Sequence, residues 1–169
     1  NNKFDCKYAI ETDYTVSHLT SIFTNVQIVV HLAAIRARDN DLGYESFRDN
    51  EILTENILKA MVEADVEKII YMSSISVYSS LDLLPWTERH IPYPTSFYGL
   101  SKLVGEQLCL LYKKKNIKSI IFRCAHVLGY EDKGYMLSVF LRSAASGQIL
   151  TVKGKSKALR EFIYVKDVA

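Results

Sequence analysis

Tyr98 and Lys102, four residues apart at the start of a predicted helix, and the pair Ser73-Ser74, at the end of a predicted strand, have the types and spacing to do chemistry. Side chains at i and i+4 of a helix lie one turn apart, with Cβ atoms about 5–6 Å from each other. The Lys102 ammonium can therefore act on the Tyr98 phenol. A free tyrosine has a pKa of about 10, too high for a base at neutral pH, and a fixed neighbouring cation lowers an acid by roughly 1–3 units. A phenol so tuned can take and return a proton near working pH. A serine hydroxyl arriving from a neighbouring strand end would hydrogen-bond the same substrate oxygen. Such a trio suits the interconversion of a carbinol and a carbonyl, with hydride passing to or from a nicotinamide.

Tyrosine and lysine at this spacing also occur on helices that only pack, and the chain holds 11 tyrosines. The order of the surrounding elements is what makes the pair a site. Residues 28–32 form a compact β-branched run that reads as a strand buried on both faces, the kind found in parallel sheets. Apolar residues at helical spacing over 51–64 predict a helix, and residues 68–73 a second buried strand. A helix over 98–115, burying Leu103, Val104, Leu108 and Leu111, a strand over 118–123 and a helix over 134–146 stopped by Gly147 follow. Near the start, 8–12 is a weaker strand and 16–23 a short helix capped by Thr15 or Ser17. Alternating strands and helices predict an α/β fold, a Rossmann-like doubly wound parallel sheet with helices on both faces. Ligands of such sheets bind outside the carboxyl ends of the strands. Asp13, Ala33-Ala34, Ser73-Ser74 and His126 all fall at or just after predicted strand ends and are expected to converge there.

Composition narrows the function classes. Of the 169 residues, 49% are hydrophobic and 24% charged, which is globular, and 21 basic against 19 acidic residues give a net charge of only +2. Neither a nucleic acid nor a membrane surface is expected as partner. The basic run Lys113-Lys114-Lys115 reads as the solvated end of a helix. Cys6, Cys109 and Cys124 have neither the number nor the spacing of a disulfide framework or a metal site, and reduced core thiols of a cytoplasmic protein are expected. No apolar run approaches the 18 or so residues needed to cross a bilayer. The chain opens without methionine and closes on residues 164–169, which read as the start of an element, so it is expected to be part of a longer protein.

Five ordered segments resemble one family, the extended short-chain dehydrogenases/reductases of the NAD-dependent epimerase/dehydratase branch. They are Val29 to Ala34, Asn50 with Asn56 and the stretch to Lys68, Tyr71 to Tyr78, Arg123 to Gly129, and Arg160 to Ala169. The resemblance implies that Tyr98 is the general acid/base, that Lys102 supports it and bonds the nicotinamide ribose, and that the catalytic hydroxyl is that of Ser74. It places Asp13, Leu32, Ala33, Ala34 and Asn50 along the cofactor with Tyr98 and Lys102. Ser74, His126 and Arg160 are implied on the substrate side, with Arg160 gripping a diphosphate through its planar fork. The cofactor implied is NAD or NADP, with NAD favoured, the substrate a nucleotide sugar, and the full-length protein a homodimer. The chain would be the central part of the NAD(P)-binding domain, with substrate-binding elements starting from about residue 129.

Departures from the family pattern also carry information. Ile75 and Ser76 stand where the 4,6-dehydratases have an acidic pair after the hydroxyl, which argues against water elimination. His126 replaces an asparagine and Cys124 a proline. His31 reads as a packing or strand-end residue. No glycine-rich phosphate turn is found, since the seven glycines are scattered from Gly43 to Gly154. Arg160 and the overall likeness favour a nucleotide-sugar epimerase. A reductase or dehydrogenase using the same trio, and a non-catalytic dinucleotide sensor of the same fold, are the alternatives; the intact trio speaks against the sensor.

Overall fold

The computed structural model describes residues 9–35, 43–78, 84–129, 136–152 and 160–169. The chain divides into two compact units, Asn1–Arg123 and Cys124–Ala169. In the first, strands β1 (Ile28–His31), β2 (Lys68–Ser74) and β3 (Lys118–Cys124) form a sheet in the order β1-β2-β3, and β1 runs parallel to β2 with His31 opposite Tyr71. Helices α1 (Val16–Ile22), α2 (Glu45–Glu63) and α3 (Phe97–Leu111) alternate with them. The result is the expected α/β fold, a Rossmann-like doubly wound parallel sheet with flanking helices.

The core gathers Leu19 and Phe23 with Ile57, Leu58 and Met61 of α2, Ile69 and Tyr71 of β2, and Cys109 of α3. β1 is not buried on both faces as its composition suggests. Val29 packs on this core, whereas Ile28 and Val30 point the other way and are 46% and 52% exposed. Alternation puts Ile120 and Phe122, flanking the core-packed Ile121, on that same open side. Thr15 caps α1, its hydroxyl accepting from the His18 N–H. Residues 9–12 form no strand, and residue 8 lies outside the described residues. Among the described residues no strand precedes Asp13: its carboxylate accepts from the N–H and the hydroxyl of Thr15, both at 2.9 Å, and shapes the entry to α1.

Helix α2 begins well before residue 51 because its buried stripe includes Phe47, Asn50 and Thr54, two of them polar and silent in an apolar periodicity. The inward face of α3 is also not the expected leucine face. Leu111 is 59% exposed and Leu103, Val104 and Leu108 are half-buried, whereas Gly99, Ser101, Lys102, Gly105, Glu106 and Cys109 are buried. The helix lies too close to β2 for bulky residues. A Cβ on Gly99 would stand 2.1 Å from the Ser76 carbonyl oxygen, and one on Gly105 2.1 Å from the Tyr71 hydroxyl oxygen. Lys113, Lys114 and Lys115 lie exposed in a 3₁₀ turn after α3, as expected.

In the second unit, β4 (His126–Leu128) pairs in parallel with β5 (Phe162–Tyr164), with His126 opposite Phe162. Helix α4 spans Met136–Ala145 and is followed by Gly147 at φ +67, the left-handed stop expected there. Residues 134 and 135 of the predicted helix lie outside the described residues. A last short helix, α5, spans Val165–Val168.

Gly105 offers a direct test of the close approach. Alanine in mid-helix gains up to about 1 kcal/mol of propensity over glycine, but overpacking a tight core costs roughly 1–3 kcal/mol. Tyr71 is only 1% exposed and has nowhere to retreat. Gly105→Ala is expected to lower the unfolding free energy in urea; an unchanged or raised midpoint would contradict the contact.

Candidate active site

Successive strand residues face opposite sides of a sheet, and this separates the two serines. Ser73 is buried against α3 and donates its hydroxyl hydrogen to Oε1 of Glu106. Ser74, half-buried, opens a 3₁₀ turn over Ile75–Val77. Its hydroxyl accepts from the Ser76 N–H and donates to the Ser76 hydroxyl, both at 3.1 Å.

Tyr98 lies in the first turn of α3, fixed by Ser96, whose hydroxyl accepts from the Gly99 N–H at 3.0 Å. Gly99 next to it is the point at which α3 meets the Ser76 carbonyl, so the Ser74 turn and Tyr98 are brought to the same end of β2. Lys102 follows one turn later and is only 3% exposed. Its ammonium donates to the Met72 carbonyl at 2.8 Å and stands 5.9 Å from the ring centre of Tyr98 and 5.2 Å from that of Tyr71. The predicted trio thus shares one strand end, with the cation held beneath the phenol.

The chain leaving β1 arrives at this end too. Leu32 is exposed and Ala33 and Ala34 are half-buried. Buried Asn50 grips both peptide groups of Ile35: its Oδ1 accepts from the N–H at 2.6 Å, and its Nδ2 donates to the carbonyl at 3.1 Å. The same Nδ2 reaches the Ser101 hydroxyl at 3.3 Å, and that hydroxyl donates to the Tyr98 carbonyl at 2.9 Å. Asn50 therefore ties the segment after β1 to the turn that carries Tyr98.

His31 is a packing residue, as its position suggested. It is 3% exposed, with Nε2 at 3.0 Å from the Thr54 hydroxyl, which gives its own hydrogen to the Asn50 carbonyl. Nε2 must then carry the hydrogen of that bond. Burial, aided by the positive charge of Lys102, pushes the His31 pKa down to about 4.

Asp13 is exposed at the start of α1. His126 and Arg160 belong to the second unit: the His126 N–H donates to the Glu161 carbonyl at 3.3 Å, and the His126 ring lies 5.6 Å from that of Phe162. Sequence reasoning missed Thr54, Glu106, Arg123 and Tyr78. Glu106 did carry a signal, since it continues the four-residue row Tyr98, Lys102 on a helix face that also holds two glycines. Among the described residues no group of His, Cys, Asp and Glu could hold a metal, and no helix is long and apolar enough to cross a membrane. Cys109 is buried and Cys124 half-buried, both as free thiols, and burial pushes the Cys109 pKa up to about 12.

Comparison with known proteins identifies the family. The NAD dependent epimerase/dehydratase family model matches residues 3–169, and the chain belongs to that family. A Methanocaldococcus jannaschii protein named "Putative UDP-glucose 4-epimerase" is 36% identical over 155 residues, covering 87% of this chain and 51% of that protein. The crystal structure of UDP-N-acetylglucosamine 4-epimerase from Bacillus cereus is 40% identical with a TM-score of 0.87, over 94% of this chain and 55% of that one. The UDP-glucuronic acid 4-epimerase of Bacillus cereus, in complex with UDP-glucuronic acid and NAD, is 28% identical with a TM-score of 0.79, over 94% and 50%. The chain thus spans about half the length of the relatives it matches.

The lowered His31 pKa has a stability signature. The unfolded histidine titrates near 6.5 and the folded one at about 4. Folding therefore favours the neutral ring: its contribution is complete above pH 6.5 and is lost as pH falls toward 4, by up to about 3 kcal/mol. Urea denaturation across this window should show that loss in the wild type and a smaller one in His31→Asn; parallel profiles would refute the assignment.

Proposed function

We propose that the intact protein is an NAD-dependent nucleotide-sugar epimerase, and that Ser74, Tyr98 and Lys102 handle the proton. The observation that carries this reading is the convergence of the three at the carboxyl end of β2, with Lys102 buried beside the Tyr98 ring. Identity of 40% to a UDP-N-acetylglucosamine 4-epimerase supports the reaction class, as does the pair Ile75-Ser76 in place of the acids expected of a dehydratase.

The residues present suit the cofactor. A buried ammonium can donate to ribose hydroxyls, and Ala33 and Ala34 leave room where the chain departs from β1. Leu32 and Asn50 would hold the same segment, Asn50 through Ile35, and Asp13 would meet the adenine side. Bound there, NAD would supply the hydride acceptor and donor for the sugar carbinol. The Tyr98 oxygen takes the hydroxyl proton as the carbinol becomes a carbonyl, and Lys102 supplies the positive charge that favours the phenolate. The Ser74 hydroxyl donates to the substrate oxygen and keeps it in line. The freed carbonyl sugar turns over before Tyr98 returns the proton, so the alcohol re-forms with opposite configuration. Arg160 is assigned to the diphosphate and His126 to the sugar side.

Two measurements test these roles. Tyr98→Phe should lower kcat by roughly 10²–10⁴-fold, while NAD affinity by fluorescence titration stays near wild type; equal loss of both would assign Tyr98 to folding. Arg160→Ala should weaken UDP-sugar binding by about 2–5 kcal/mol in calorimetry if the contact is dry, and unchanged affinity would return Arg160 to the ordinary surface charges.

A further inference from the structure

Glu106 sets a carboxylate against the strand end that bears Ser74, and it is 2% exposed. Its Oε1 accepts from the Ser73 hydroxyl and, at 3.0 Å, from Nε of Arg123; its Oε2 accepts from the second terminal nitrogen of Arg123 at 2.7 Å. The other terminal nitrogen of Arg123 donates to the Tyr78 hydroxyl, which in turn donates to the Thr87 carbonyl at 3.0 Å. Ser73 and Tyr78 bracket the turn that begins at Ser74. One ion pair, buried at Glu106 and 20% exposed at Arg123, thus pins that turn from both sides, and it does so from α3, one helical turn beyond Lys102 and two beyond Tyr98.

We propose that Glu106 is a positioning residue for the reacting hydroxyl: through Ser73 on one side, and through Arg123 and Tyr78 on the other, it holds Ser74 in register with Tyr98. The proposal rests on the reading of Ser74, Tyr98 and Lys102 as the reacting groups. Glu106 is no acid or base in the reaction itself, because its oxygens are closed off by Ser73 and Arg123. Its hydrogen bonds to Arg123 raise that residue's pKa and keep the guanidinium charged. Nor is stability the natural account of the pair, since burying two charges costs about what their attraction returns, and apolar isosteres often do as well. What the pair supplies is a fixed geometry, in which α3 carries the phenol and the cation and, through Glu106, also sets the hydroxyl opposite them. Register matters because a displacement of about 1 Å in a reacting group can cost on the order of 100-fold in rate.

Ser73→Ala and Tyr78→Phe remove one tie each without unpairing the buried charges. They can be compared in the intact protein with Ser73→Thr, which restores a hydroxyl, and with Ser74→Ala. Turnover of UDP-N-acetylglucosamine and UDP-glucose, UDP-sugar affinity and melting temperature are the readouts. Ser73→Ala and Tyr78→Phe are expected to lower kcat by roughly 10-fold or more, with KM and UDP-sugar affinity near wild type and a cooperative melt retained, and Ser73→Thr to regain most of the loss. A fall in activity that only follows the folded fraction would show a structural tie and overturn the proposal. Wild-type kcat in Ser73→Ala and Tyr78→Phe beside a loss in Ser74→Ala would overturn the positioning role and leave the reaction reading standing. Wild-type kcat in Ser74→Ala would overturn both.

Discussion

Helix α3 lies on β2 with nothing but backbone at Gly99 and Gly105 to separate them, and the placement of every reacting group follows from that approach. A residue with a side chain at Gly99 would drive the helix off the Ser76 carbonyl and carry Tyr98 away from the Ser74 turn. A side chain at Gly105 would strike the hydroxyl of Tyr71. Between these two contacts the helix is tied to the strand by polar bonds, from Lys102 to the Met72 carbonyl and from Ser73 to Glu106. Sterics bring the elements close, and the hydrogen bonds then decide which side chains look outward and which are used within.

Charge burial is the cost of this arrangement. Lys102 and Glu106 are both nearly inaccessible, and a buried ion without partners is penalised by several kcal/mol. Glu106 is answered by two nitrogens of Arg123. Lys102 is held by its carbonyl acceptor and by the faces of two tyrosine rings. Burial, aided by the Lys102 charge, keeps His31 neutral, and the same charge suits an anionic oxygen at the first turn of α3.

Tyr98 and Lys102 were legible because they obey a local rule, four residues on one helix, and the pair Ser73-Ser74 because it closes a plain apolar run; the choice of Ser74 between the two came from the family resemblance. The order of strands and helices was legible for the same reason. The inward face of α3 was not. A stripe of Gly, Ser, Lys, Gly and Glu resembles a solvent face in any apolar periodicity, and only the nearness of β2 turns it into an interior. The start of α2 was lost in the same way, since Asn50 and Thr54 are buried to satisfy Ile35 and His31. Asp13 was read as a strand-end residue because the apolar segment before it mimics a strand, yet its carboxylate serves the cap of α1. Long-range polar pairing, as between Glu106 and Arg123, leaves no trace in local spacing at all.

The turn after Ser74 bears on which reaction such a site can support. Ser76 gives its N–H to the Ser74 oxygen and receives the Ser74 hydrogen on its own hydroxyl, so the position after Ile75 is filled by a neutral partner. An acidic side chain there could give or take a proton at a second carbon of the sugar, which water elimination requires. A serine hydroxyl, with a pKa far above the working range, cannot. On the proposed reading one proton-transfer group, Tyr98, supported by Lys102 and steadied by Ser74, is enough to oxidise and re-reduce a single carbinol. A site with one proton carrier acts on one carbon, which is the demand that inversion at that carbon makes.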